Sequence, residues 1–290
     1  MSTAAFLLVL ASAFCHATWN VLTKRSAYKA AFLWTSILVA LVLFLGPSLF
    51  YALRDGIPAR GWLFGGGTVL LHGLYGLSLA RGYQVGDLST VYPMSRGMGP
   101  MLVPILAVLI LGETMSAPAA VGVALVVIGI YTLHAEALVP AAILRPLRLW
   151  ERVDSRWAAL TGVLIASYSL WDKAALDYLS PVLVNQFGAV GFALFLAPSA
   201  LRDGGLPARA EWQERRRSVV AAGVLSPLSY VLVLVALTTS RISYVAPVRE
   251  VGIVLGVAMG VVLLGEPHGV SRIVGSLLVA AGVVVLALAP

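Results

Sequence analysis

Apolar residues fall along this chain in blocks of about twenty, broken by short turns that collect nearly all of the charge. Each block is long enough to cross the hydrocarbon of a bilayer as a helix, which takes about 20 residues. The pattern predicts spans over 3–23, 29–50, 61–82, 88–111, 116–134, 157–176, 181–201, 217–239, 243–264 and 270–289. The apolar runs are continuous rather than alternating, so they read as helices that satisfy their backbone N–H and C=O groups internally. A polar stretch over 136–156, carrying Arg145, Arg148, Glu151, Arg152, Asp154 and Arg156, separates five spans from five. No basic residue precedes the first block and a matching segment opens the second half, so residues 1–23 read as a retained span rather than a leader.

The second half repeats the first. Arg96, Gly99, Gly112, Glu113, Gly122 and Gly129 recur 153 residues later as Arg249, Gly252, Gly265, Glu266, Gly275 and Gly282. Arg54-Asp55-Gly56 with Pro58, Arg60 and Trp62 returns as Arg202-Asp203-Gly204 with Pro207, Arg209 and Trp212. His16, Trp19 and Asn20 correspond to Tyr168, Trp171 and Asp172, each trio on one helical face, and Tyr75 corresponds to Tyr230. Two copies of an odd number of spans lie upside down relative to one another. The expected fold class is all-α integral membrane, with ten transmembrane helices as two inverted five-helix repeats, residues 1–135 and 157–290 around the 136–156 linker.

Hydrophobic residues make up 60% of the chain and charged ones 11%, with mean hydropathy +0.93, which excludes an ordinary soluble domain. The loops after odd-numbered spans hold fourteen Lys and Arg and those after even-numbered spans four, so the positive-inside rule puts the odd loops in the cytoplasm and both termini outside. The net charge of +7 is then a membrane asymmetry that calls for no nucleic acid, and Arg215-Arg216-Arg217 can meet anionic lipid headgroups. Cys15 is the single cysteine, so no intrachain disulfide forms, and its thiol reads as packing.

Spans four and nine carry the densest chemistry. Tyr92-Pro93 and Arg96-Gly97-Met98-Gly99-Pro100 match Tyr244 to Gly252, which holds Pro247, Arg249 and Glu250. Proline removes a donor and clashes with the preceding turn, so both spans are expected to kink or unwind, and paired interruptions of this kind point to a transport site. For Arg96 and Arg249 three readings stand: gating or substrate binding, helix pairing, or snorkelling to the interface. Glu250 is either a proton carrier or the countercharge of Arg249. Glu113 and Glu266 read as partners of a helix N-terminus.

The antiparallel course of the spans groups His16, Trp19 and Asn20 with Arg96 near one face, and Tyr168, Trp171, Asp172 and Lys173 with Arg249 and Glu250 near the other. Two polar layers are expected to flank a central aromatic cavity containing Tyr75, Tyr92 and Tyr230, with an Asp172–Arg249 contact closing one mouth. Interfacial anchoring is the alternative for His16 and Trp19. Gly252, Gly256 and Gly260, with the pairs Gly122/Gly129 and Gly275/Gly282, read as packing faces toward the same chain or toward a second copy in a homodimer.

These residues together resemble the drug/metabolite transporter superfamily, in its EamA-like ten-span branch. Trp19-Asn20, Ala80-Arg81-Gly82-Tyr83, Gly86-Asp87-Leu88-Ser89, Tyr92-Pro93 and Gly112-Glu113 carry the likeness in the first half. Ser243-Tyr244-Val245-Ala246-Pro247, Arg249-Glu250 and Gly265-Glu266 carry it in the second. The resemblance implies a secondary carrier, an exporter in the cell membrane (the bacterial plasma membrane), for small metabolites, amino acids or drug-like compounds, without nucleotide energy or a cofactor. It also implies cytoplasmic termini, against the loop charge; a reporter fused after Pro290 decides between them. A lipid or lipid-linked headgroup flippase is the alternative and a non-transporting assembly factor the third. Four histidines without metal spacing and no phosphate-binding loop argue against a metalloenzyme or an ATP-driven pump. The arginines lean toward a substrate carrying an anionic group, and Glu250 or Asp172 is the candidate for proton coupling.

Overall fold

A computed structural model describes residues 1–85, 88–134, 153–264 and 269–290. The helices are α1 (Thr3–Lys24), α2 (Lys29–Asp55), α3 (Ala59–Val85), α4 (Leu88–Leu111), α5 (Ala117–His134), α6 (Val153–Ala175), α7 (Pro181–Ala200), α8 (Leu206–Thr239), α9 (Ile242–Arg249), α10 (Val251–Leu264) and α11 (Val270–Leu288). These make ten spans, because α9 and α10 together form the ninth, and no strand occurs among the described residues. α8 leaves helical geometry at Arg215, so Leu206–Glu214 forms a separate stub and the crossing segment starts beside the predicted position 217.

Burial is turned outside in. Leu53, Leu109 and Val262 are 85%, 75% and 79% exposed, and such side chains spread over the outer faces of the helices. Water would not tolerate that belt, whereas acyl chains would. Among the described residues, seven helices are long and apolar enough to span a membrane by length and hydropathy alone. The protein is therefore a multi-pass membrane protein.

The halves interleave. α1 packs on α8 and on α9–α10, while α6, its counterpart, packs on α3 and α4; α2 meets α7 and α5 meets α11. Exchanging the halves maps this contact pattern onto itself. Trp34 donates from Nε1 to the Ala193 carbonyl, and Gln186 donates from Nε2 to the Leu41 carbonyl. Gln186 stands at Trp34's position in the other repeat and Ala193 at Leu41's, so one bond is the symmetry mate of the other. The pairs also fix direction: Gly122 approaches Gly282 while Gly129 approaches Gly275, so α5 and α11 run antiparallel. Equivalent helices can cross antiparallel about a twofold axis only when that axis is perpendicular to them. The repeats are inverted.

The glycine pairs expected to form packing faces meet each other within this chain. A methyl on Gly275 would lie 2.4 Å from the Leu133 backbone nitrogen, and one on Gly282 would lie 2.7 Å from the Gly122 carbonyl. The ridge expected along span nine is shorter than its spacing suggests. Gly252 lies against the Ala13 backbone, but nothing lies within 4 Å of a methyl on Gly256.

Span four does not unwind. α4 runs as one helix from Leu88 to Leu111 through Pro93 and Pro100, each proline removing one hydrogen bond without ending the ladder. Span nine does break. Pro247 lacks an N–H, and the chain tightens at Glu250, whose amide reaches back to Pro247 and whose carbonyl accepts from Ile253.

The start of α9 is held from across the repeat boundary. Gly112 adopts φ +66°, a conformation that favours glycine, and the turn presents Glu113 to α9. The Glu113 carboxylate accepts from the Ile242 amide (2.9 Å), the Ser243 amide (3.0 Å) and the Ser243 hydroxyl (2.6 Å). It thus satisfies orphan donors at the positive end of a helix in the other repeat, rather than of the next helix along the chain. Glu113→Ala should lower the melting temperature in detergent by the equivalent of about 1–2 kcal/mol, the usual cost of losing a helix cap. An unchanged melting curve would contradict this role. Its counterpart Gly265-Glu266 lies outside the described residues.

Candidate functional site

A buried carboxylate marks the centre. Asp172, one turn before the end of α6, is 0% exposed. Thr68 on α3 donates to its Oδ1 at 2.6 Å, and Tyr230 on α8 donates to its Oδ2 at 2.5 Å. The Nε2 of His72, one turn after Thr68, lies 2.8 Å from the same Oδ2. Three side chains from two helices, one in each repeat, converge on two oxygens. An isolated ionised carboxylate in such surroundings would cost several kcal/mol, so these bonds are what make Asp172 tolerable there.

Rings enclose the cluster. His72 lies 4.3 Å from Tyr168 and 5.7 Å from Phe192 between ring centroids, and Tyr75 lies 5.3 Å from Tyr168. Gly188 on α7 makes room for the imidazole, since a methyl there would stand 3.2 Å from His72 Nδ1. Beside Tyr230 is a cavity of about 20 Å³ lined also by Ser169, Val245 and Arg249, enough for one water.

The expected site residues divide. Asp172, Tyr168, Tyr75 and Tyr230 belong to this cluster. Arg249 reaches the small cavity, and the Asp172 oxygens are held by Thr68, His72 and Tyr230. Lys173 donates to the Leu237 carbonyl at 2.5 Å, placing a cation at the negative end of α8. Trp171 donates to the Phe64 carbonyl at 2.8 Å and lies over Gly67, where a methyl would come within 2.3 Å of the indole. In the other half, Asn20 donates to the His16 carbonyl at 2.7 Å, and the His16 and Trp19 rings meet edge to face at 5.1 Å. Trp19 packs on the Phe32, Val219 and Ala222 group. Glu250 is 4% exposed at the break in span nine. The side chains of Tyr92 and Arg96 lie outside the described residues.

The Asp172 cluster is not duplicated in the other repeat. Aligning Tyr75 with Tyr230 puts Pro227 at the position of His72 and Gly223 at that of Thr68, while Asn20 stands for Asp172. The acid, its imidazole and its hydroxyl donor therefore occur together once. His72 escapes a search for duplicated residues for this reason. Its spacing of one helical turn from Thr68 was the available signal.

A buried ionisable cluster shared by two inverted five-span repeats, in a helical bundle with an apolar exterior, defines a multi-pass membrane protein with polar chemistry in its interior. The chain belongs to the EamA-like transporter family, whose model matches residues 3–134 and 156–288. It is thus a membrane transporter of the drug/metabolite transporter superfamily. A solved structure described only as "Crystal structure of protein" shares the fold at a TM-score of 0.73 and 15% identity, over 98% of this chain and 96% of that one. A comparison with curated proteins returns no match.

Proposed function

We propose that this protein is a proton-coupled exporter of small amine-bearing metabolites, amino acids included, in which Asp172 holds a proton and the substrate ammonium in turn. The supporting observation is the fully buried Asp172 carboxylate hydrogen-bonded to His72, Thr68 and Tyr230. With one added proton the His72–Asp172 pair is neutral and stays closed away from water. Without that proton it carries one negative charge, whose burial is costly. The site then reopens or takes a cation. Arg249 and Glu250, adjacent at the break in span nine, bring opposite charges and leave this balance to Asp172.

Proton and ammonium compete for one carboxylate, which produces exchange rather than leak. Arg249, beside Tyr230, is placed to receive a substrate carboxylate. The rings around His72 supply surface for an apolar side chain and part when either face opens. The protein acts in the bacterial plasma membrane, with residues 1–135 and 157–290 as the two rocking units.

Proteoliposomes loaded with an amino-acid mixture test this. An imposed pH gradient should drive amine efflux several-fold above the no-gradient rate, and His72→Gln should flatten that dependence. Lipid scrambling without amine flux would favour a flippase instead, and loss of both would favour an assembly factor.

A further inference from the structure

A groove lies away from the Asp172 cluster, on the flank where α3 meets α7. It encloses about 410 Å³, within the range of a small-molecule pocket. Its walls are Leu77, Ala80, Leu194, Phe195, Leu196 and Pro198, with Arg81, Ser199 and Arg202 completing the lining. Arg81 stands in the last turns of α3 and Arg202 just past the end of α7, so both guanidiniums are at the level where a helix leaves the hydrocarbon. Among the described side chains no carboxylate meets either one. Arg215, Arg216 and Arg217 follow further along the same connection. Leu194 is 61% exposed and continues the groove into the lipid-facing belt.

We propose that this groove holds an anionic phospholipid, its phosphate between Arg81 and Arg202 and one acyl chain along Leu77 and Leu194. A guanidinium offers five donors in a fork that fits phosphate oxygens. The apolar length of the groove selects a lipid over a soluble anion, and the two guanidiniums select an anionic headgroup over a zwitterionic one. The site stands independently of the proposed transport chemistry.

Native mass spectrometry of the delipidated full-length protein decides the matter, with phosphatidylglycerol and phosphatidylcholine of matched chains titrated in. Phosphatidylglycerol should bind more tightly, and Arg81→Ala with Arg202→Ala should weaken it about thirtyfold, two cations at about 1 kcal/mol each. The double lysine variant should keep most of the affinity. Should the double alanine variant not fold, each single alanine change should cost about fivefold. Equal binding of the two lipids would overturn the proposal, as would affinity unaffected by these changes. So would a loss seen only with Arg215→Ala, Arg216→Ala and Arg217→Ala together, or full competition by glycerophosphoglycerol, which has no acyl chains.

Discussion

Asp172→Asn is expected to reduce gradient-driven export by two orders of magnitude or more, roughly the contribution of a positioned proton carrier. The fold should survive. Asparagine keeps the shape and one acceptor, so Thr68 or Tyr230 retains a partner, while the group that binds the proton and the ammonium is gone. Counterflow in proteoliposomes, with and without a pH gradient, measures both losses. Glu250→Gln is the matched control, since Glu250 is the rival carrier from the sequence. Wild-type coupling in Asp172→Asn together with lost coupling in Glu250→Gln would move the proton site to span nine.

Gly275→Leu should be the most destabilising single change outside the polar cluster. The side chain would enter against the Leu133 backbone, which cannot rotate away as a flexible side chain can. Overpacking costs about 1–3 kcal/mol where neighbours adjust, and here α5 and α11 would have to separate. A melting temperature lowered by several degrees or more, or failure to purify as a monodisperse species, is the expected result. Gly256→Leu should leave the melting curve within error, because open space surrounds that position. Equal effects of the two changes would mean that α5 and α11 do not meet closely.

The span count was legible because bilayer hydrocarbon imposes one length on every crossing, and the inversion because the repeat holds an odd number of spans. The glycine pairs were legible as packing faces, though not as partners of each other. Proline content did not tell the two spans apart: Pro93 and Pro100 sit in a helix that continues, whereas Pro247 precedes a break. The candidate site was half legible. Asp172, Tyr168 and Tyr230 stood out by helical spacing and duplication, but His72 did not, since its counterpart is a proline. Trp171 and Lys173, expected at the site, bond to the backbones of α3 and α8, which the sequence did not show.

The amino-acid sequence alone determined that this is a ten-span helical membrane protein made of two inverted copies, because hydropathy, segment length and repetition are properties of the chain taken in order. Only the tertiary structure decided which groups act together. Thr68 and His72 reach Asp172 across about a hundred residues of chain, and Glu113 reaches α9 across more than that. In a bilayer the hydrophobic effect does not choose partners between helices, so close packing and hydrogen bonding do. Those are set by the crossings of helices, which no local pattern of residues encodes.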